Sequence, residues 1–199
     1  CFYASQTFSN IPVEDGRRIQ IAWGRVKMTG MPFNQMMLFP VTLTLHKTEA
    51  GPRMFTQPVR EIENIHKRKW QRKNKTLKPE DNLLSSLSGE LFHIRTELNV
   101  EQAQETGFVI RDVPVTYNVE KQELSCLKNK ASLKPKDGNI QLELLVDRTS
   151  IEIFGNGGRI YMPVGVILAD NPKSLEIFTK GGNTEVESLD VYELNSAWK

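Results

Sequence analysis

The chain has 199 residues, 39% hydrophobic and 25% charged, with a mean hydropathy of −0.41. These values suit a soluble globular chain of one domain or slightly more, and they exclude a wholly disordered or collagen-like protein. No apolar run approaches the roughly 18 to 20 residues that a membrane-spanning helix needs, and two cysteines without CxxC spacing, Cys1 and Cys126, are too few for a disulfide framework or a structural zinc site.

The net charge of +2 conceals an uneven distribution. Residues 1–79 hold 14 Lys and Arg against 5 Asp and Glu, whereas residues 80–199 hold 12 against 19. Much of the positive excess lies in the run from His66 to Lys75, which places six cations around Trp70. Such a run suits either a phosphate backbone or a solvated edge whose lysines discourage strand pairing. The solvated edge is expected, because nothing else in the chain resembles a nucleic-acid module. The opening Cys-Phe-Tyr-Ala-Ser lacks an initiator Met, a basic n-region and an apolar h-region, so it reads as a mature product or a piece, and localisation is not legible from it.

Taken in chain order, period-two alternation dominates. Ile19, Ile21 and Trp23 share one face of a predicted strand, and Val41, Leu43 and Leu45 share one face of another. From Pro58 to Lys67, apolar residues recur every three positions at Val59, Ile62 and Ile65, with acids early and bases late, which predicts an amphipathic helix joining two β-rich regions. Phe92, Ile94 and Leu98 then alternate with His93, Arg95 and Glu97, and a second helix of a turn or two is expected after Asn99. Further strands are predicted at Val113 to Val119, Ile140 to Val146, Ile151 to Phe154, Ile160 to Leu168, Leu175 to Phe178 and Val186 to Leu194. Asp137-Gly138, Gly155 to Gly158 and Gly181-Gly182-Asn183 supply turn chemistry between them. Many short strands at this spacing imply a sandwich, a barrel or part of a propeller.

Candidate chemistry is sparse. His46, His66 and His93 lie far apart in sequence, so no metal site is expected. Gly155-Asn156-Gly157-Gly158 precedes a strand rather than a helix and reads as a hairpin turn, not a phosphate cradle. Asp147 is expected to form a turn or to pair with Arg148, and Cys126 has no activating base near it in sequence, so a buried apolar cysteine is expected. The remaining concentration lies near the N-terminus, where Phe2, Tyr3, Phe8, Trp23 and Phe33 mingle with Gln6, Arg17, Arg18, Asn34 and Gln35. Aromatic faces beside amide and guanidinium groups suit a sugar ring, although ordinary strand packing uses the same residues.

These blocks carry a resemblance. Phe2 to Phe8, Asp15 to Arg25 and Met31 to Pro40, followed by Pro58 to Ile62 and by Leu145 to Gly158, closely resemble the last part of glycoside hydrolase family 32, the invertases, levanases and inulinases. The resemblance implies an all-β chain: an antiparallel two-sheet β-sandwich preceded by the last strands of an incomplete five-bladed β-propeller. On this reading residues 1–57 are a terminal blade remnant, 58–79 a helical and basic connector, and 80–199 the sandwich. It also implies retaining cleavage of β-fructosides by two carboxylates about 5 Å apart. The motifs that carry them in the family, a Trp-x-Asn-Asp-Pro-x-Gly-like stretch and a Glu-Cys pair, together with the Arg-Asp-Pro stretch that binds the sugar, do not occur in this sequence. No catalytic residue is therefore expected in the chain, and Trp23, with Phe33, Asn34 and Gln35 near the same rim, is the expected substrate contact. No metal or cofactor is implied. The implied partners are a fructan or sucrose-type carbohydrate, met through the parent enzyme, and either the missing propeller part or a second copy; nucleic acid and membrane are not among them, and the family resemblance favours a secreted or periplasmic setting. The alternative is a noncatalytic carbohydrate-binding β-sandwich module.

Overall fold

The computed structural model describes residues 1–29, 34–170 and 174–197 of the chain. Its first part is an antiparallel sheet in the order β1 (Phe2–Thr7), β2 (Arg18–Gly24), β4 (Val41–Thr48) and β5 (Gly51–Pro58), with the short β3 (Met36–Met37) laid against the end of β2. A four-stranded meander of this kind is the layout of one propeller blade.

The second part is a two-sheet sandwich. One sheet runs β14 (Ile160–Gly165), β13 (Ser150–Gly155), β12 (Asn139–Val146), β7 (Phe92–Asn99), β16 (Thr184–Leu194) and β6 (His66–Leu77). The other runs β11 (Asn129–Ser132), β10 (Glu123–Cys126), β9 (Val113–Asn118), β8 (Glu105–Ile110) and β15 (Leu175–Lys180). All pairings are antiparallel. Alternation explains the core: Phe92, Ile94 and Leu98 of β7, Ile140, Leu142 and Leu144 of β12, and Phe108 and Ile110 of β8 all belong to one buried cluster between the sheets.

Two expected helices are replaced by tighter or extended structure. The segment from Pro58 to Lys67 contains only a 3-10 helix at Arg60–Ile65, and the chain leaves it extended at His66. The three-residue spacing of Val59, Ile62 and Ile65 is the repeat of a 3-10 helix, in which positions i and i+3 eclipse one another. It places Val59 and Ile62 in the core. After Asn99 there is one turn, closed by the Ala103 N–H donating to the Val100 carbonyl at 3.1 Å. The Gln104 N–H is then taken by the Lys180 carbonyl at 2.9 Å, so the ladder with β15 captures the backbone before a helix can form.

The basic run is also not a connector. It forms β6, a 12-residue edge strand paired along its length with β16. Lys67 and Arg68 meet Glu193, Lys69 meets Asp190 and Thr76 bonds to Glu185, so part of the positive excess of the first half is neutralised by acids from the end of the chain.

The blade docks on the outer face of the six-stranded sheet. Along β13, Ile151 and Ile153 point into the sandwich, while Glu152 and Phe154 point toward the blade, which is why every residue of this strand is buried. A second cluster fills the seam: Val41 from β4, Val59 and Ile62 from the 3-10 region, Leu145 from β12 and Phe154, with Ile19, Phe39, Leu43 and Tyr161 packed around them. Tyr161 stacks on Phe154 at 4.8 Å between ring centroids.

Glu152 lies within this seam with none of its surface exposed. It accepts the Phe39 N–H at 2.9 Å from the blade and the Tyr161 hydroxyl at 2.6 Å from β14. Burial pushes its pKa up to about 7 despite both hydrogen bonds, because a carboxylate in an apolar seam loses its hydration. The β13–β14 turn adds a backbone tie, in which the Thr56 N–H of β5 donates to the Gly158 carbonyl at 2.8 Å. Gly158 has φ of +90°, and a Cβ there would lie 2.2 Å from the Thr56 carbonyl oxygen.

Two outcomes follow from this seam. Gly158→Ala combines a strained φ with a backbone clash and is expected to lower unfolding free energy by about 2 kcal/mol or more, read from urea midpoints at unchanged m-value. For Glu152, a folded pKa above the ordinary carboxylate value means that the folded state holds the extra proton. Its contribution is therefore full below about pH 4.5 and is lost as pH rises through about 7. Wild-type stability should fall relative to Glu152→Gln between those limits, by about 3 kcal/mol at most. Parallel pH profiles for the two proteins would contradict this.

Candidate functional site

Of the sequence-predicted contacts, Trp23 lies at the end of β2. Trp23 pairs directly across from Tyr3 on β1 and from Met37 on β3. The Trp23 and Tyr3 rings meet edge to face at 5.8 Å, and the Arg25 guanidinium lies 5.5 Å from the Tyr3 centroid. All three apolar side chains remain open, with 37% of Trp23, 54% of Tyr3 and 59% of Met37 exposed. Strands normally hide such rings, so an exposed aromatic pair beside a guanidinium marks this end of the sheet as the candidate site.

Asn34 and Gln35 lead into β3 and so reach the same end of the sheet. Asn34 is committed to the loop itself, its Oδ1 accepting the Met28 N–H at 2.9 Å and the Gln35 N–H at 3.1 Å. Gln35 has φ of +78°, and its side-chain oxygen is buried with no partner among the described residues. Phe33 lies outside the described residues.

Two other members of the N-terminal cluster, Phe2 and Arg17, serve packing and charge pairing. Phe2 turns from this face and meets Tyr161 edge to face at 6.0 Å. Arg17 clamps Asp15 and Glu61, donating to Glu61 at 2.7 Å, and so ties the loop before β2 to the 3-10 helix. The hydrogen bonds from Arg17 hold both carboxyls down at about 2. Tyr3 and Arg25 are the contacts that sequence reasoning left out of its site. The cross-strand register that places Tyr3 opposite Trp23 includes a bulge between Tyr3 and Gln6, which no alternation pattern announces.

Histidines scattered in sequence meet in space. His66 Nε2 lies 3.0 Å from His93 Nδ1, and His93 Nε2 lies 2.7 Å from Glu143, which also accepts from Arg95 at 2.9 Å. Arg95 continues to Glu63 at 2.8 Å. Burial raises the Glu143 carboxyl, but the hydrogen bonds from His93 and Arg95 outweigh it and hold it below the ordinary range. Burial, with His93 alongside, lowers His66. His93 is fully buried and Tyr192 covers the His66 ring at 4.0 Å, whereas the Arg95–Glu63 end of the chain of groups is exposed. Among the described residues no three His, Cys, Asp or Glu side chains form a metal-holding group.

The remaining candidates resolve simply. Asp147 forms a turn, its carboxylate accepting the Arg148 N–H at 2.7 Å, while the Arg148 side chain pairs with Glu90. Cys126 is buried, and burial pushes its thiol up to about 12, where it is inert as a nucleophile. Gly155 to Gly158 joins two antiparallel strands as a hairpin.

Comparison with known proteins gives this arrangement a family. The levanase of Bacillus subtilis is 31% identical over 99% of this chain, which spans 33% of that enzyme. A levanase from Bacillus sp. strain L7 is 27% identical over the whole chain and 24% of its own length. In structure, the exo-inulinase of Aspergillus awamori superposes over 99% of this chain and 44% of its own, with a TM-score of 0.86 at 20% identity, which establishes the shared fold. This chain thus spans about a quarter to a half of these relatives. Residues 61–193 match the family described as glycosyl hydrolases family 32 C terminal, and the chain belongs to that family.

Proposed function

We propose that this chain is the closing part of a retaining β-fructosidase, in which the sandwich is mainly structural and the blade supplies one wall of a fructan- or sucrose-binding site. The observation that carries the proposal is the distribution of exposed apolar surface. Eight of the ten large hydrophobic side chains exposed among the described residues, including Phe2, Tyr3, Trp23 and Met37, lie on the blade and only two on the sandwich. A blade normally buries such residues against neighbouring blades or turns them toward ligand.

On this reading residues 1–57 are the last blade and the sandwich begins at β6. Trp23 offers an aromatic face to the C–H face of a fructosyl ring, with Tyr3 and Arg25 beside it. Asn34 and Gln35 are assigned to the rim, with Phe33 next to them in sequence; the Gln35 side-chain oxygen lacks a donor among the described residues. The relatives are levanases, exo-inulinases and a sucrose-6-phosphate hydrolase, and structural neighbours include a fructan 1-exohydrolase in complex with 1-kestose and a fructofuranosidase in complex with fructose.

The two catalytic carboxylates belong, in this proposal, to parts of the enzyme outside this chain. A retaining pair has to face one scissile bond from about 5 Å apart. The carboxylates with perturbed titration here are each bound to another partner: Asp15 and Glu61 to Arg17, Glu63 and Glu143 to Arg95, Asp190 to Lys69, Glu193 to Arg68, and Glu152 to Tyr161. The alternative of a sugar-binding sandwich module is less well supported. Phe92, Phe108, Tyr117 and Phe154 are buried, Tyr192 lies against His66, and Tyr161 lies against Phe154.

The isolated chain is expected to release no fructose from sucrose, inulin or levan. In a full-length protein carrying it, Trp23→Ala should lower kcat/KM by about tenfold or more at unchanged thermal midpoint, a loss of about 1.4 kcal/mol in transition-state binding. Asp147→Ala should chiefly lower stability. Reducing-sugar release by fragment and parent, side by side, tests both; fragment turnover within about tenfold of the parent would place the catalytic groups inside this chain. The open blade should also make the isolated chain self-associate, visible as concentration-dependent sedimentation.

A further inference from the structure

A cavity of about 950 Å3 opens between the blade and the sandwich, away from Trp23. One wall is β5, which contributes Arg53 and Phe55, and the facing wall is the segment between β11 and β12, with Lys134 and Lys136. The β13–β14 turn lies between them and adds Arg159. These three segments are fixed to one another. The Asn156 side-chain N–H donates to the Lys134 carbonyl at 2.8 Å, the Gln141 N–H donates to the Asn156 side chain at 2.9 Å, and the Thr56 N–H donates to the Gly158 carbonyl at 2.8 Å. The cavity is therefore preformed rather than a gap between loops, and its volume is in the range that takes a ligand of two or three sugar rings.

Four cations gather on its lining. Arg53, Lys134, Lys136 and Arg159 all line it, and none of the four has an ion-pair partner among the described residues. Arg53 donates only to the neighbouring Pro52 carbonyl, and the Arg159 guanidinium lies 6.0 Å from the Phe55 centroid. Elsewhere Arg17, Arg95, Lys69 and Lys130 all have carboxylate partners. The acids on the lining are Glu97, which already accepts from Asn139 at 3.3 Å, and Asp137, so the lining is cationic by two charges. Four like charges held around one concavity repel one another, and the field between low-dielectric walls is relieved by a bound anion.

We propose that this cavity binds a multiply charged anionic saccharide, one whose phosphate, sulfate or carboxylate groups meet Arg53 on one wall, Lys134 and Lys136 on the other and Arg159 between them. A neutral fructan leaves the four cations unpaired.

The test is titration calorimetry on the 199-residue chain with sucrose octasulfate, trigalacturonate and neutral 1-kestose. At least one anionic probe should bind at a single site in about 20 mM salt and weaken by about tenfold or more in 0.3 M salt, as screening requires. Octasulfate or trigalacturonate binding alone assigns the sulfate-like or the carboxylate chemistry. Lys134→Gln combined with Lys136→Gln should weaken that binding by about tenfold or more, whereas Arg72→Gln with Lys73→Gln on the basic strand should change it by less than about threefold. Both lysines project from the surface without partners, so the fold should persist, and an unchanged thermal midpoint checks this; Lys136→Gln alone should give an intermediate loss. The proposal is overturned if neither anion binds at low salt, if the β6 pair weakens binding as much as the cavity pair, or if 1-kestose competes for the same site without salt dependence.

Discussion

A carboxyl group buried between two sheets sets the geometry of this molecule. Glu152 occupies an apolar seam, where an ionised side chain is costly, and it survives there through a hydrogen bond from each side: the Phe39 N–H on the blade and the Tyr161 hydroxyl on β14. These bonds have direction, and the apolar cluster of Val41, Leu145 and Phe154 does not. Hydrophobic burial brings the blade to the sandwich, while Glu152 and the Gly158 backbone contact select one docking register among the many that would bury similar area. The position of β5 relative to the β13–β14 turn, and hence the shape of the cavity between them, follows from that register.

Charge supplies the second constraint. A 12-residue edge strand carrying so many cations is a poor candidate for pairing on its own sequence, because like charges on neighbouring positions repel. It pairs because β16 offers Glu185, Asp190 and Glu193 in matching register, and because Leu77 anchors its end in the core. The uneven charge of the two halves of the sequence is thus partly the signature of one long-range strand pair. The outer edge of β6 keeps its unpaired lysines, which discourage a further strand from adding there.

The parts of this architecture that were legible were those written in short-range alternation. Phe92-x-Ile94 and Ile140-x-Leu142-x-Leu144 announced sandwich strands because one face of each meets the same core throughout. What resisted reading depends on distant partners. Three-residue spacing at Val59, Ile62 and Ile65 fits an α-helix face nearly as well as a 3-10 helix, and the choice falls to the strand that follows at His66. Ser150 to Gly155 is buried on both faces because the blade covers the second one, and nothing in the local alternation distinguishes Glu152 from a solvent-facing residue. His66 and His93 are 27 positions apart and meet only through the pairing of β6 and β7 with β16 between them. Of the residues at the end of β2, Trp23 is singled out by its motif, whereas Tyr3 comes opposite it through a bulged register that the sequence does not display.

The two open surfaces of the chain differ in how their openness is maintained. Around Trp23 the exposed groups are apolar and aromatic, so water is a poor partner for them and any neighbouring surface or sugar face gains by covering them. Around Arg53 and Arg159 the exposed groups are cations, for which water is a good partner until a denser set of negative charges displaces it. The first surface is open because the sheet ends at β1, β2 and β3; the second is open because rigid turns and backbone bonds hold its walls apart. A seam that fixes the blade by directional bonds to Glu152 therefore does more than stabilise the chain. It holds an apolar face at one end of the blade sheet and a cationic concavity along β5 in a constant relation.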